Sequence, residues 1–206
     1  AAGNERFAAR QAAEPRGGRK PVPHGEGAGT GSAENIEWGL TSLQLLDYKR
    51  LIEPLQKFLT LLSKWNRAYN LTAIRDPEAM VSAHLLDSLA VLPHLPEGSV
   101  LDVGTGAGFP GIPLAIACPE RRFTLLDCID KKTSFLRQVV GELGLTNVDV
   151  VTARVERWQP GVSFDCLISR AYAEIVDFIG SAQHLLANGG RFAAMKGRMP
   201  TAELEA

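Results

Sequence analysis

The sequence predicts an α/β fold, a parallel sheet with helices on both faces, set behind an N-terminal helical arm. Three observations carry this. From residue 100 onward, short and nearly continuous apolar runs alternate with helical stretches, the pattern of strands buried on both faces. The first run ends in a glycine-rich turn, Gly104-Thr-Gly-Ala-Gly-Phe-Pro-Gly111, that leads into a helix. Upstream, Tyr48, Leu51, Ile52, Leu55, Phe58, Leu59, Leu62, Trp65 and Tyr69 recur at three- and four-residue spacing, the period of a helix with one buried face.

The elements follow in order. Residues 1–37 hold 7 Gly and 3 Pro, with five basic and five acidic side chains and only Phe7, Val22 and Ile36 as large apolar residues. Such a stretch buries too little surface to offset its ordering entropy, so it is expected as a disordered tail. Residues 38–96 are the helical arm. Thr41 is its expected N-cap, and Pro54, lacking an N–H, is expected to divide or kink the long run. Asp76-Pro77 has the form of an N-cap followed by proline at the first helical position, opening a helix to about Leu92. Residues 97–206 are the core. Strands are expected at Val100–Val103, Phe123–Asp127, Val148–Val151, Phe164–Ile168 and Arg191–Met195. Helices are expected to about Ala117, over Lys131–Leu143 with Gly144 as the stop, and over Glu174–Ala187, with a turn at Asn188-Gly-Gly190.

Composition excludes several classes. Of 206 residues, 45% are hydrophobic and 22% charged, and the net charge is −1, so the chain is no polycation and any polyanion must meet a local patch. No apolar run reaches the ~18 residues of a membrane span. Glu5 and Glu14 argue against a transit peptide, and no signal-peptide core is present. Cys118, Cys128 and Cys166 are scattered without a C-x-x-C, so no zinc site or disulfide framework is expected, and a reducing cytoplasm fits. Charge is uneven: residues 38–75 carry six basic and two acidic side chains, while residues 76–206 carry 11 basic and 16 acidic. The arm is the positive end, with Arg50, Lys57 and Lys64 at heptad spacing and Lys49 and Arg67 nearby. This stripe is either a phosphate-binding face or simply a solvated one.

The strongest chemical signal is the turn after the first strand. A dinucleotide fingerprint wants glycines at the first, third and sixth places. Gly104 and Gly106 fit, but the sixth place is Phe109, which counts against a nicotinamide-dependent oxidoreductase. Asp102 precedes the first glycine by two residues. Asp127 closes the second strand, where a carboxylate accepts hydrogen bonds from ribose hydroxyls in doubly wound folds; its alternative role is a helix cap. A helix N-terminus together with a carboxylate suits a zwitterionic nucleoside cofactor without phosphate, and S-adenosylmethionine is of that kind.

Six segments then occur in one order: Asn70-Leu-Thr72, His84-Leu-Leu-Asp-Ser88, Asp102-Val-Gly-Thr-Gly-Ala-Gly-Phe-Pro-Gly-Ile-Pro113, Arg154-Val-Glu156, Ile168-Ser-Arg-Ala171 and Met195-Lys-Gly197. Together, from about Thr41 to Glu205, they resemble the glucose-inhibited division protein B family, bacterial methyltransferases acting on guanine N7 of small-subunit (16S) ribosomal RNA. The resemblance implies a Rossmann-like class I methyltransferase core. It implies S-adenosyl-L-methionine as cofactor and small-subunit ribosomal RNA or the ribosomal particle as partner. By position, the cofactor contacts fall on Gly104, Phe109, Val155, Glu156 and Arg170; Asp102, Gly106 and Asp127 join them on chemical grounds. The family continues into a final antiparallel pair of strands, so these C-terminal strands are expected to be missing from a chain ending at Ala206.

RNA contacts are expected from Lys57, Lys64 and Arg67 on the arm and from His84, Arg154 and Lys196 on the rim. Each has a plainer alternative: a satisfied buried histidine for His84, surface ion pairing for Arg154, Arg170 and Lys196, a helix-cap role for Glu156. Trp65 and Tyr69 are expected to anchor the arm. No catalytic base is assigned, because guanine N7 carries a lone pair and no proton. No metal ligand set is present, and the enzyme is expected to be a cytoplasmic monomer. The rival readings are a non-catalytic RNA-binding fragment and a methyltransferase acting on another substrate.

Overall fold

Strands that are apolar at nearly every position bury both faces, and here they form one parallel sheet. The computed structural model describes residues 33–45, 47–170, 172, 174–198 and 200–204. The tail expected over residues 1–32 lies outside them, as does Ala171 of the Ile168–Ala171 segment. The strands β1 (Val100–Val103), β2 (Phe123–Asp127), β3 (Val148–Thr152), β4 (Phe164–Ser169) and β5 (Leu186–Ala194) are ordered β3-β2-β1-β4-β5, every pair parallel. Alternation within strands assigns side chains to two layers. Val100, Phe123, Leu125, Cys166 and Ile168 face a cluster shared with the N-terminal helices, while Leu101, Val103, Leu126 and Leu167 face Phe178, Ala182 and Leu185.

The helices are α1 (Ala33–Ser42), α2 (Lys49–Tyr69), α3 (Pro77–Met80), α4 (Asp87–Leu89), α5 (Gly111–Ala117), α6 (Asp130–Leu143), α7 (Ile175–Ala182) and α8 (Thr201–Leu204). Three expectations on the arm are corrected. Residues 33–37, read as tail, begin α1, where Ile36 and Leu40 are fully buried in the core. Thr41 does not cap a helix start; it lies in the last turn of α1, its hydroxyl donating to the Glu37 carbonyl at 2.8 Å. Pro54 neither divides nor ends α2, which runs unbroken for 21 residues. The proline costs about 3 kcal/mol, whereas the seam of Leu51, Leu55, Phe58, Leu59 and Leu62 is buried at roughly 1.5–3 kcal/mol per side chain. Ile36→Ala should therefore lower unfolding free energy by about 2–5 kcal/mol, measurable by urea titration. A loss below 0.5 kcal/mol would mean that α1 contributes nothing to the core.

Two further differences bear on the site. The Asp76 cap forms as expected, its Oδ2 accepting from the Ala79 N–H at 3.1 Å, but the helix it opens contains a π-helical turn over Val81–Leu86. A π-turn shifts every side chain after it around the helix, and such turns gather at functional sites. The turn expected at Asn188-Gly-Gly190 lies inside β5. Leu186 pairs with Phe164 and Arg191 with Cys166, so the extra residues form a bulge, with Gly189 at φ +80°.

Trp65 anchors the arm as expected. Its Nε1–H donates to Gln138 Oε1 at 3.0 Å, and its ring lies 5.5 Å from that of Phe135 and 5.0 Å from that of Tyr69. Among the described residues no helix is long and apolar enough to cross a membrane.

Candidate functional site

Apart from Asp102, which lies within β1, the core residues expected to meet cofactor or RNA follow or end strands at the carboxyl edge of the sheet. The loop from Gly104 to Gly111 is built by close approaches. A Cβ at Gly111 would collide with Leu125 and lie 2.8 Å from Asp102 Oδ2, so α5 can sit against the sheet only with glycine there. Gly106, at φ +61°, leaves its side-chain position open and turns its N–H onto Asp127 Oδ2 at 3.0 Å.

The two aspartates then take different parts. Asp102, expected as a cofactor contact, is completely buried beneath the loop. Its Oδ2 accepts the Gly111 N–H at 2.8 Å, and neither its Oδ1 nor the buried Thr105 Oγ1 has a hydrogen-bond partner. It braces the loop from below instead of meeting a ligand. Burial pushes its carboxyl up to about 7; the nearby Thr105 hydroxyl, the Gly111 N–H and Arg170 pull the other way. Asp127 ends β2 at the cleft. Its Oδ1 accepts from the Ile129 N–H at 2.9 Å and its Oδ2 from Gly106, with Lys132 Nζ at 3.5 Å. So it shapes the entry into α6, as the cap-like alternative expected, and it also lines the cleft.

Asp102 and His84 set opposed pH slopes. Asp102 binds its proton more tightly folded than unfolded, so its contribution to stability falls as pH rises from about 4 to about 7. His84, with its pKa lowered from 6.5 to about 4, binds its proton less tightly when folded, so its contribution rises over pH 4–6.5. Asp102→Asn keeps a side-chain carbonyl for Gly111 and removes the first slope. Unfolding free energy of this variant should climb more steeply than wild type between pH 4.5 and 6.5 in denaturant titrations; a parallel profile would mean that Asp102 ionises normally.

A cleft of about 250 Å³ opens between the ends of β1, β2 and β3. It is lined by Gly104, Asp127, Lys132, Arg154, Val155 and Glu156, with Tyr172 on the far side. A second cleft, about 260 Å³, shares Gly104 and Lys132 with the first and adds Thr72, His84, Thr105, Gly106, Phe109 and Arg170. A third, wider groove of about 910 Å³ shares His84 and Arg170 with the second and extends past Asp87, His94 and Lys196. The three therefore form one path along the carboxyl edge, with carboxylates at one end and Arg170 where the last two meet.

Phe109 is the hub of that path. Buried to 3% exposure, it lies 5.1 Å from the Phe58 ring of α2 and 4.7 Å from the His84 ring, nearly parallel to it. The guanidinium of Arg170 lies 5.2 Å from the Phe109 centroid, a cation–π contact. Arg170 also donates to His84 Nδ1 at 3.1 Å and to the Ala83 carbonyl at 3.3 Å, and stands 3.6 Å from Asp87 Oδ2. On its other side His84 Nε2 meets Thr72 Oγ1 at 2.8 Å. Burial first, and then the Arg170 charge, hold His84 neutral at ordinary pH.

The basic stripe splits in two. Lys57, expected to contact RNA, instead points onto the end of α6. Its Nζ donates to the Glu142 carbonyl at 2.5 Å and pairs with the Glu142 carboxylate at 3.7 Å. Arg50 does the same for α5, donating to the Ala117 carbonyl at 2.7 Å. Cations at helix C-termini satisfy orphan carbonyls and complement the dipole, so these two dock the arm. Lys64, Arg67 and Arg154 are exposed. Lys196 lies at the groove but binds both oxygens of Glu203 from α8, at 3.1 and 3.0 Å, and Glu203 also accepts the Ile175 N–H at 2.7 Å. That is the ion pairing weighed for it above.

Lys132, Thr72, Thr105 and Tyr172 line the path without having been singled out. Lys132 had a signal, a cation in the first turn after Asp127. Thr72 closes the quoted Asn70-Leu-Thr72 segment. Among the described residues no cluster of His, Cys, Asp or Glu is arranged to hold a metal ion.

The family model GidB, described as rRNA small subunit methyltransferase G, matches residues 51–206. Ribosomal RNA small subunit methyltransferase G of Methylobacillus flagellatus is 51% identical over 84% of this chain and 84% of its own length. That of Chromobacterium violaceum is 54% identical over 82% of this chain and 81% of its own. Among solved structures, a SAM dependent methyltransferase from Aquifex aeolicus aligns with a TM-score of 0.48 and 20% identity, over 68% of this chain and 77% of that one.

Proposed function

The chain belongs to the rRNA small subunit methyltransferase G family, and on that premise we propose that it methylates N7 of a guanine in small-subunit ribosomal RNA, using S-adenosylmethionine. The observation that carries the reading is the continuous path from the carboxylates at the ends of β2 and β3, over the glycine loop, to Arg170. Its donor set fits the cofactor's chemistry. Asp127 and Glu156 offer acceptors for neutral ribose hydroxyls, Val155 an apolar wall for a base, and Lys132 and Arg170 cations for a carboxylate. When bound, the cofactor supplies a methyl group on a positively charged sulfur. The protein's residues then have mainly to hold and align, because guanine N7 presents a lone pair and needs no proton removed. The site fits that economy: His84, the histidine beside Arg170 and Phe109, is neutral with both nitrogens hydrogen-bonded, and so is not free to act as a base.

The RNA meets Lys64, Arg67 and Arg154 and the wide groove beside Arg170. Since the body beyond residue 75 is net negative, binding depends on these local cations. Lys64→Glu combined with Arg67→Glu should weaken RNA binding several-fold at low salt. It should also flatten the plot of log affinity against log salt by up to about 2 units, since each phosphate contact contributes roughly 0.9. S-adenosylhomocysteine affinity should stay unchanged. An unaltered salt slope would take the arm out of the RNA surface.

The direct test is transfer of labelled methyl to small-subunit ribosomal RNA from a strain lacking the modification, followed by mapping. Label in 7-methylguanine at one position is expected. Label elsewhere, or bound RNA without label, would overturn the reading in favour of another substrate or a non-catalytic role.

A further inference from the structure

We propose that Thr72 reads the acceptor base: its hydroxyl donates a hydrogen bond to the C6 carbonyl oxygen of the guanine and so separates guanine from adenine. This rests on the guanine-N7 reading above and assigns a residue to its base specificity.

A guanidinium can only donate, so His84 Nδ1, 3.1 Å from Arg170 Nη2, must present its lone pair. A neutral imidazole then carries its single proton on Nε2, which faces Thr72 Oγ1 at 2.8 Å. The Thr72 oxygen therefore accepts from His84. It also accepts from the Ile74 N–H at 3.2 Å. Both lone pairs are taken, and the hydroxyl is left with only its proton to offer. No described residue accepts that proton, and Thr72 lines the cleft it shares with Gly104, Phe109, Arg170 and Lys132.

The donor is also fixed in place. The Thr72 N–H binds Oδ1 of Asn66 at 2.9 Å, and Asn66 is itself buried in α2, its amide donating to the Ile74 carbonyl at 3.4 Å. A rigid, obligate donor in a partly buried cleft selects for a carbonyl acceptor, since a facing donor would leave both groups unsatisfied. On the edge that carries N7, guanine presents the O6 acceptor and adenine the N6 amino donor. A contact to O6 therefore identifies the base while leaving N7 open to the methyl group. His84 and Arg170 act here as positioning residues, since they set the direction of the hydroxyl without needing to touch the base.

The test crosses two changes. Wild type, Thr72→Val and Thr72→Ser are assayed on small-subunit RNA carrying either guanine or 2-aminopurine, which keeps N7 but lacks O6, at the mapped position. Loss of O6 should cost wild type and Thr72→Ser about tenfold in kcat/KM, the scale of one buried hydrogen bond, and should cost Thr72→Val less than twofold. S-adenosylhomocysteine affinity should agree within twofold across all three. Equal sensitivity of wild type and Thr72→Val to O6 overturns the proposal, as does loss of cofactor affinity in Thr72→Val, which would give the hydroxyl to the cofactor. Should Thr72→Val not fold, indifference of wild type itself to O6 overturns it. Transfer to guanine N7 that ignores O6 refutes Thr72 alone, whereas absence of N7 transfer by wild type refutes the underlying reading as well.

Discussion

Arg170→Lys should reduce methyl transfer to small-subunit RNA by about 10²-fold, on the scale of losing one preorganised donor in a partly buried site. The substitution keeps the charge and removes the fork. In wild type one guanidinium donates to His84 Nδ1 and the Ala83 carbonyl, approaches Asp87 and lies over the Phe109 ring. A lysine ammonium is a point charge on a flexible stem and cannot hold these contacts at once. The loss should appear in S-adenosylhomocysteine affinity and in turnover together, because Arg170 stands where the second cleft opens into the wide groove. Isothermal titration and labelled-methyl assays would read the two separately. Wild-type values in both would show that charge alone suffices there, and the stacked geometry would have no functional weight.

Phe109→Ala carries the largest expected effect on stability, a loss of about 3–5 kcal/mol. For a chain of this size that is a fall of about 6–20 °C in melting temperature. The reason is location as much as size. Phe109 is where the glycine loop, the arm through Phe58, the π-turn through His84 and the end of β4 through Arg170 come together. Deleting the ring leaves a cavity and removes the surface against which Arg170 and His84 are stacked, so cofactor affinity should fall alongside stability. Phe109→Leu keeps most of the volume and should recover most of the stability but little of the affinity. If calorimetry gave Phe109→Ala a melting temperature within 2 °C of wild type, the hub would be no hub.

The elements of the core were legible because their signals are local. Strand positions were apolar almost without interruption, the helix after Asp127 stopped at Gly144, which adopts φ +63°, and the cap at Asp76 formed as its Asp-Pro pair indicated. The arm was less legible for the same reason. Thr41 and Pro54 carry strong local preferences, a cap and a break, and packing overrode both: α1 docks through Ile36 and Leu40, and the buried seam of α2 outweighs one missing hydrogen bond. Composition alone placed Ile36 in a tail, since one apolar residue among glycines gives no period to read.

The candidate site divides along the same line. By itself the sequence determined the order of strands and helices, the glycine turn after β1, and the placement of Asp127, Glu156 and Arg170 beyond strand ends, since each depends on neighbours a few positions away. Only the tertiary structure decided what those side chains do. Lys57 and Lys64 are one heptad apart and indistinguishable in sequence, yet Lys57 lies against the end of α6, 85 positions along the chain, and Lys64 is exposed. Asp102 and Asp127 are both acidic residues near strand ends, yet one is sealed under the loop and the other borders the cleft. The His84 tautomer is set by Arg170, 86 positions away. Which partner a polar group finds depends on which distant surfaces the hydrophobic layers bring together, and that information lies in the packing of the whole chain.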